Sequence, residues 1–100
     1  MALEITGTIE LEGGLSTTTG YARLTADVND AGTKMRTLTR IWTSKTNYDT
    51  NVSDVVLKEP LQVVFDYNRQ TDGDDLLLVA HNNIKAELEA LGYSVVITDL

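Results

Sequence analysis

A chain of 100 residues with 15 Asp plus Glu against eight Lys plus Arg, a formal net charge of −7 and no cysteine has the size of one domain built on one core. The missing cysteines rule out disulfides, thiolate zinc and iron–sulfur centres and cysteine nucleophiles. The acidic balance repels phosphate backbones and anionic headgroups, which predicts protein partners, with no nucleic acid and no membrane.

Taken in chain order, the first element alternates cleanly. Leu3, Ile5, Gly7, Ile9 and Leu11 point one way, and Glu4, Thr6, Thr8, Glu10 and Glu12 the other, as in a half-buried strand. Gly13-Gly14 breaks it, and the hydroxyl-rich residues 16–20 read as a polar loop. Alternation resumes with Ala22, Leu24, Ala26 and Val28 inward against Tyr21, Arg23, Thr25 and Asp27. Asn29-Asp30-Ala31-Gly32 is a turn signal between two extended runs, which predicts a hairpin.

Residues 33–43 are rich in Thr and β-branched side chains but two-sided, with Met35 and Ile41 on one face and Leu38 and Trp42 on the other beside Arg36 and Arg40. Such a strand is expected to be covered at least partly on both faces. Thr43-Ser44 can cap one helical turn through Tyr48, whose ring is its single apolar anchor. Residues 55–57 make a short strand, and Pro60 suits an edge or a strand start because it lacks the N–H of an interior ladder.

Leu61, Val63, Phe65 and Tyr67 form the next inward set, and residues 68–73 a loop. A helix is predicted over 74–91, because acids fill its first turn and Leu77, Ala80, Ile84, Leu88 and Leu91 recur on one stripe. Gly92 ends it with a left-handed cap, and Tyr93, Val95 and Ile97 continue as a last strand. The strands on either side of this helix would run parallel if they share a sheet. The expected fold is therefore α+β, a single compact domain over 1–100. It is a mixed, mostly antiparallel sheet of five or six strands with one helix from the C-terminal half packed on one face.

Few residues offer chemistry. His81 is the only histidine, no Gly-x-Ser-x-Gly elbow accompanies it, and a histidine on the helix flank is the simpler reading. Asp72, Asp74 and Asp75 form an oxygen-rich cluster where a weak divalent cation is conceivable. The spacing departs from the EF-hand template, and a turn with helix N-terminal stabilisation accounts for all three. Glu10, Glu12, Asp27 and Asp66 fall on outward strand faces and converge on no cleft. Neither glycine turn matches a phosphate-binding loop. No catalytic, cofactor or metal residue is assigned, and the expectation is a non-enzymatic protein.

Charge distribution is more informative. Lys34, Arg36, Arg40 and Lys45 lie within twelve residues that hold no acid, which leaves four cations against 15 acids in the remaining 88. A basic strand on an acidic body predicts head-to-tail attraction between copies, unless its cations pair locally with neighbouring acids. Trp42 adds an aromatic to this strand, and aromatic plus Arg composition is what interfaces enrich, although core packing under a loop is the simpler reading of a lone Trp. Tyr21, Trp42, Tyr48 and Tyr93 would also serve as a ring platform for a sugar or a receptor. The residues assigned to an interface are Lys34, Arg36, Leu38, Arg40, Trp42 and Lys45.

The opening Ala2-Leu3-Glu4-Ile5-Thr6-Gly7 strand, the Tyr21-Ala22-Arg23-Leu24 strand, the stretch from Ile41-Trp42-Thr43-Ser44-Lys45 to Tyr48-Asp49 and the close from Ala90-Leu91-Gly92-Tyr93 to Ile97-Thr98-Asp99-Leu100 together resemble small structural proteins of tailed bacteriophages. That resemblance implies a virion component, such as a ring, neck, tail or head-surface protein, repeated around a symmetric particle and present in host cytoplasm before assembly. Its implied partners are other virion proteins or copies of itself, in a homo-oligomer. Outside that resemblance stand an acidic inhibitor that mimics DNA, for which −7 is a modest charge, and a glycan- or receptor-binding module. The N-terminus has no basic stretch followed by an apolar one, so no signal peptide is expected.

Overall fold

The computed structural model describes residues 1–58 and 61–99. Five strands, β1 (Ala2–Glu10), β2 (Ser16–Val28), β3 (Lys34–Trp42), β4 (Val64–Asp66) and β5 (Ser94–Thr98), form one sheet in the order β4-β3-β2-β1-β5. Three α-helices, α1 (Lys45–Asp49), α2 (Arg69–Asp72) and α3 (Leu76–Ala90), and a 3-10 turn at Glu12–Gly14 punctuate it among the described residues. The fold is α+β, with α3 as the main helix.

Every ladder is antiparallel. β4 and β5, the strands that flank α3, do run in the same direction, but three strands separate them. The parallel pair expected of a mixed sheet is therefore absent among the described residues. The central strand is longer than its side-chain pattern shows, because residues 16–20, expected as a loop, pair with β1 from Ser16↔Glu10 to Gly20↔Ile5. Backbone pairing and the β preference of Thr override the polar composition there. The predicted β2–β3 hairpin forms, and Asn29 Oδ1 closes it by accepting from the N–H groups of Thr33 (2.9 Å) and Lys34 (3.1 Å). Residues 55–57 make only two isolated bridges, Val55 to Ile41 and Leu57 to Leu11. The reading of Pro60 lies outside the described residues.

α3 packs on β2, β1 and β5. Leu3, Ile5 and Ile9 of β1, Ala22 and Leu24 of β2, Met35 and Ile41 of β3 and Val95 of β5 meet Ala80, Ile84 and Leu88 of the helix in one core. Asp75 caps the helix by accepting from the Leu78 N–H at 3.1 Å, and Gly92, at φ 98°, closes its far end. The expected stripe is correct in its middle and not at its ends. Leu77 in the first turn and Leu91 at the C-cap remain exposed, because periodicity gives the angle round a helix but not where along it the sheet stops. α2 occupies part of the expected 68–73 loop, capped by Asn68 Oδ1 on the Gln70 N–H.

The β1–β2 register slips by one residue between Thr6 and Ile9, a bulge built around Gly7 at φ 141°. A Cβ at this position would lie 2.9 Å from Tyr93 Cδ1. Gly7→Ala should therefore cost about 1–3 kcal/mol through backbone strain and this clash. Urea unfolding checks it: the midpoint should fall at an unchanged m-value, and an unmoved midpoint would mean that the bulge accepts a side chain.

Candidate functional site

The sheet face opposite α3 carries five of the six residues assigned to an interface, and the sixth, Lys45, begins α1. The β2–β3 register sets Arg36 beside Asp27, Leu38 beside Thr25, Arg40 beside Arg23 and Trp42 beside Tyr21. Alternation turns all eight away from the core. Leu38, 61% exposed, stands near the centre of this face. Thr25, Asp27, Arg36, Leu38 and Val63 line a shallow depression around it, and the exposed Val64 lies opposite Arg36 on β4. Two-sided covering of β3 was expected, but on the outer side only its Trp42 end is covered.

All four cations of the basic segment have acidic partners. Arg36 bonds Asp27 at 2.9 Å, Arg40 reaches Asp54 at 3.3 Å, Lys45 reaches Asp99 at 3.5 Å, and Lys34 pairs with Asp66. The Asp66 carboxyl is held below the usual carboxylate range by its hydrogen bond from Lys34. Acids distant in sequence thus neutralise the basic strand in place, and the head-to-tail charge separation read from the sequence becomes a row of ion pairs. Exposed pairs of this kind contribute little to stability. Their effect is to give the face both signs of charge.

At one end of the face lies a second, smaller core. Ser44 caps α1 by accepting from the Asn47 N–H at 3.1 Å, and the helix carries Tyr48 over the sheet. The Tyr48 ring lies 4.7 Å from that of Trp42, edge-on, and 5.4 Å from that of Tyr21. The Arg23 guanidinium stands 5.1 Å above Tyr48, and that of Arg40 5.0 Å above Trp42, both within cation–π range. Trp42 is only 5% exposed and donates its indole N–H to the Val52 carbonyl at 2.8 Å. It is therefore packed under α1 and the loop at the end of the face, which corrects its assignment to the interface and agrees with the alternative of core packing under a loop; the α1 cap, legible in Ser44, is what places the cover over it.

Tyr21, 1% exposed, donates its hydroxyl to Asp99 Oδ2 at 2.7 Å. Burial, then this carboxylate, pushes the Tyr21 phenol upward. The Tyr21 hydroxyl in turn, with Lys45, holds the Asp99 carboxyl below its ordinary value. These bonds tie the C-terminal end of β5 to the aromatic cluster. Tyr93, grouped with these rings by composition, lies elsewhere, against Gly7.

The acidic cluster is divided among separate structural tasks. Asp72 accepts from the Asn68 N–H at 2.8 Å, Asp74 pairs with Arg69, and Asp75 is the α3 cap. The Arg69 hydrogen bond lowers the Asp74 carboxyl. Among the described residues no group of three His, Asp or Glu side chains is placed to hold a metal ion. His81, expected on the helix flank, is fully buried within α3. Its Nδ1 lies 2.6 Å from the Leu77 carbonyl and its Nε2 has no hydrogen-bond partner among the described residues.

Sequence reasoning named the cations and missed their partners. One was recoverable: a hairpin turning at 29–32 places Arg36 opposite Asp27. Asp54 comes from a loop and Asp99 from just past the end of β5, where no local pattern points to β3 or α1. No protein-family model, no curated protein and no solved structure matches the chain.

Proposed function

We propose that this chain is a non-enzymatic assembly protein whose open sheet face docks onto a second copy of itself, as a repeated virion component of a tailed bacteriophage would. The observation that carries the reading is Leu38, a large apolar side chain 61% exposed among the ion pairs Arg36–Asp27 and Arg40–Asp54. An apolar centre within a polar, Arg-bearing rim is the usual anatomy of a protein interface. Because the rim holds both signs, a copy related by a two-fold axis meets opposite charges and can exchange ion-pair partners across the contact. The cluster of buried Trp42 and Tyr21 with half-buried Tyr48 stiffens the end of the strand, so little ordering cost accompanies docking. The phage assignment rests on the resemblance of the chain to small virion proteins.

Sedimentation equilibrium tests the contact. Leu38→Glu should weaken self-association about 30-fold, the loss of one central anchor worth about 2 kcal/mol. Circular dichroism should not change, because the position is exposed. A native protein that stays monomeric up to about millimolar concentration, or a Leu38→Glu variant that associates like the parent, would reject the reading.

A further inference from the structure

We infer that β5 is a second self-association surface, through which two copies join edge to edge into one ten-stranded antiparallel sheet. It is a different surface from the Leu38 face and lies at the other end of the strand order. β5 pairs with β1 on one side, from Ser94↔Thr6 to Thr98↔Ala2, and no described strand pairs with its other side. Its free backbone N–H and C=O groups make a template for another strand.

The two edges of this sheet are not alike. β4 is three residues long and carries Asp66, paired with Lys34; short length and charge are how natural sheets blunt an edge. β5 has neither device. Its five residues, Ser-Val-Val-Ile-Thr, contain no charge, no Pro and no Gly, and four are β-branched, in a chain whose net charge is −7. Local like-charge repulsion, which would oppose self-pairing over much of this acidic surface, is absent along this strand.

The sequence of β5 also fits itself. In an antiparallel register centred on Val96, Val96 lies opposite its twin, Val95 opposite Ile97, and Ser94 opposite Thr98. Val95, buried, and Ile97, packed against the core, share the α3 side, so the register joins the two cores across the seam. Val96, 59% exposed on the other side, is covered by its twin. Thr98 Oγ1, which has no hydrogen-bond partner among the described residues, falls opposite a hydroxyl. Whichever alternate backbone groups point outward, this register closes about four to six hydrogen bonds, and its cross-strand pairs are β-branched on both faces. The occupant is therefore a second β5, because this strand is its own complement in shape, polarity and lack of charge.

Two substitutions at one position test it. Val96→Lys puts like charges opposite each other at the axis, while within its own subunit the new Lys sits beside Glu4, its β1 neighbour. Sedimentation at about 0.5 M salt, where repulsion between acidic copies is screened, should show the parent associating and Val96→Lys at least about tenfold weaker. Val96→Cys supplies the only thiol in the chain and should cross-link to a covalent dimer under mild oxidation, faster than the exposed control Thr71→Cys. An association indifferent to Val96→Lys, or a Val96→Cys that cross-links no faster than the control, overturns the edge pairing. The Cys comparison stands even if the Lys variant misfolds. Adding Leu38→Glu to Val96→Cys separates the two surfaces: cross-linking that persists keeps the edge pairing whatever becomes of the Leu38 face, and cross-linking that is lost overturns it as an independent contact.

Discussion

Trp42→Ala should lower the unfolding free energy by about 3–5 kcal/mol, the range for removing a large aromatic from a packed site. That is a large share of the roughly 5–15 kcal/mol that holds a domain of this size together. Three losses add up at one position. The indole fills the space between β3 and α1 and is 5% exposed; its N–H anchors the loop at the Val52 carbonyl, 2.8 Å away; and its ring supports Tyr48 at 4.7 Å and Arg40 at 5.0 Å. Trp42→Phe should recover most of the packing and lose the indole hydrogen bond, worth about 1 kcal/mol. Urea unfolding followed by far-ultraviolet circular dichroism reads both. A Trp42→Ala variant within about 1 kcal/mol of the parent would show that the outer aromatic cluster merely decorates the sheet. The same variant should release α1, so that Tyr48 and Lys45 no longer cover the end of the face.

The second large effect is acid sensitivity near neutral pH. Burial lowers the His81 imidazole below its ordinary value of 6.5, the Leu77 carbonyl opposes that shift, and the cationic N-terminus and Arg23 reinforce it. The folded protein therefore holds His81 neutral at pH values where the unfolded chain has already protonated it. Stability from this residue is complete above about pH 6.5 and is lost as the pH falls towards the depressed folded value. The slope is at most about 1.4 kcal/mol per pH unit, one proton's worth. The lowered carboxyls of Asp66, Asp74 and Asp99 act in another window, since their ordinary value is 3.8. Their contribution is present above about pH 4 and disappears below it. Unfolding free energies at pH 7.5, 6.5, 5.5 and 4.8 should fall in the parent and stay flat in His81→Phe, an apolar ring of similar size. A parent curve that is flat between pH 7 and 5 would show that the buried imidazole can be protonated in place.

His81 also marks a limit of periodicity. The four-residue spacing of Ala80, Ile84 and Leu88 correctly oriented α3, yet it puts position 81 beside the stripe and so on the flank. The surroundings accept it because the Leu77 carbonyl, one turn back, satisfies one ring nitrogen. Strand β2 reads in the opposite direction. Thr17, Thr18 and Thr19 carry no apolar alternation, so only their β-branched side chains favoured a strand, and the facing half of β1 supplied the partner.

The outer face of the sheet was half legible. Leu38, Arg36 and Arg40 on one side of β3 follow from a period of two, and Asp27 follows from the hairpin turn. Trp42 could be read either as an interface residue or as core under a loop, because alternation gives the direction of a side chain and not what lies above it; the cover is α1, with the loop after it, folded back over the strand.

Local chemistry alone therefore determined the alternating strands, the Asn29 turn, the Ser44 and Asp75 ends of the helices and the class of the fold, since each depends on residues within a few positions of one another. Which acid neutralises which cation, which aromatic is sheltered, and which edge of the sheet stays open were decided only in three dimensions. Those outcomes depend on strand order, and strand order places Asp99 against Lys45 and leaves the outer edge of β5 without a paired strand among the described residues, through contacts that no short window of sequence contains.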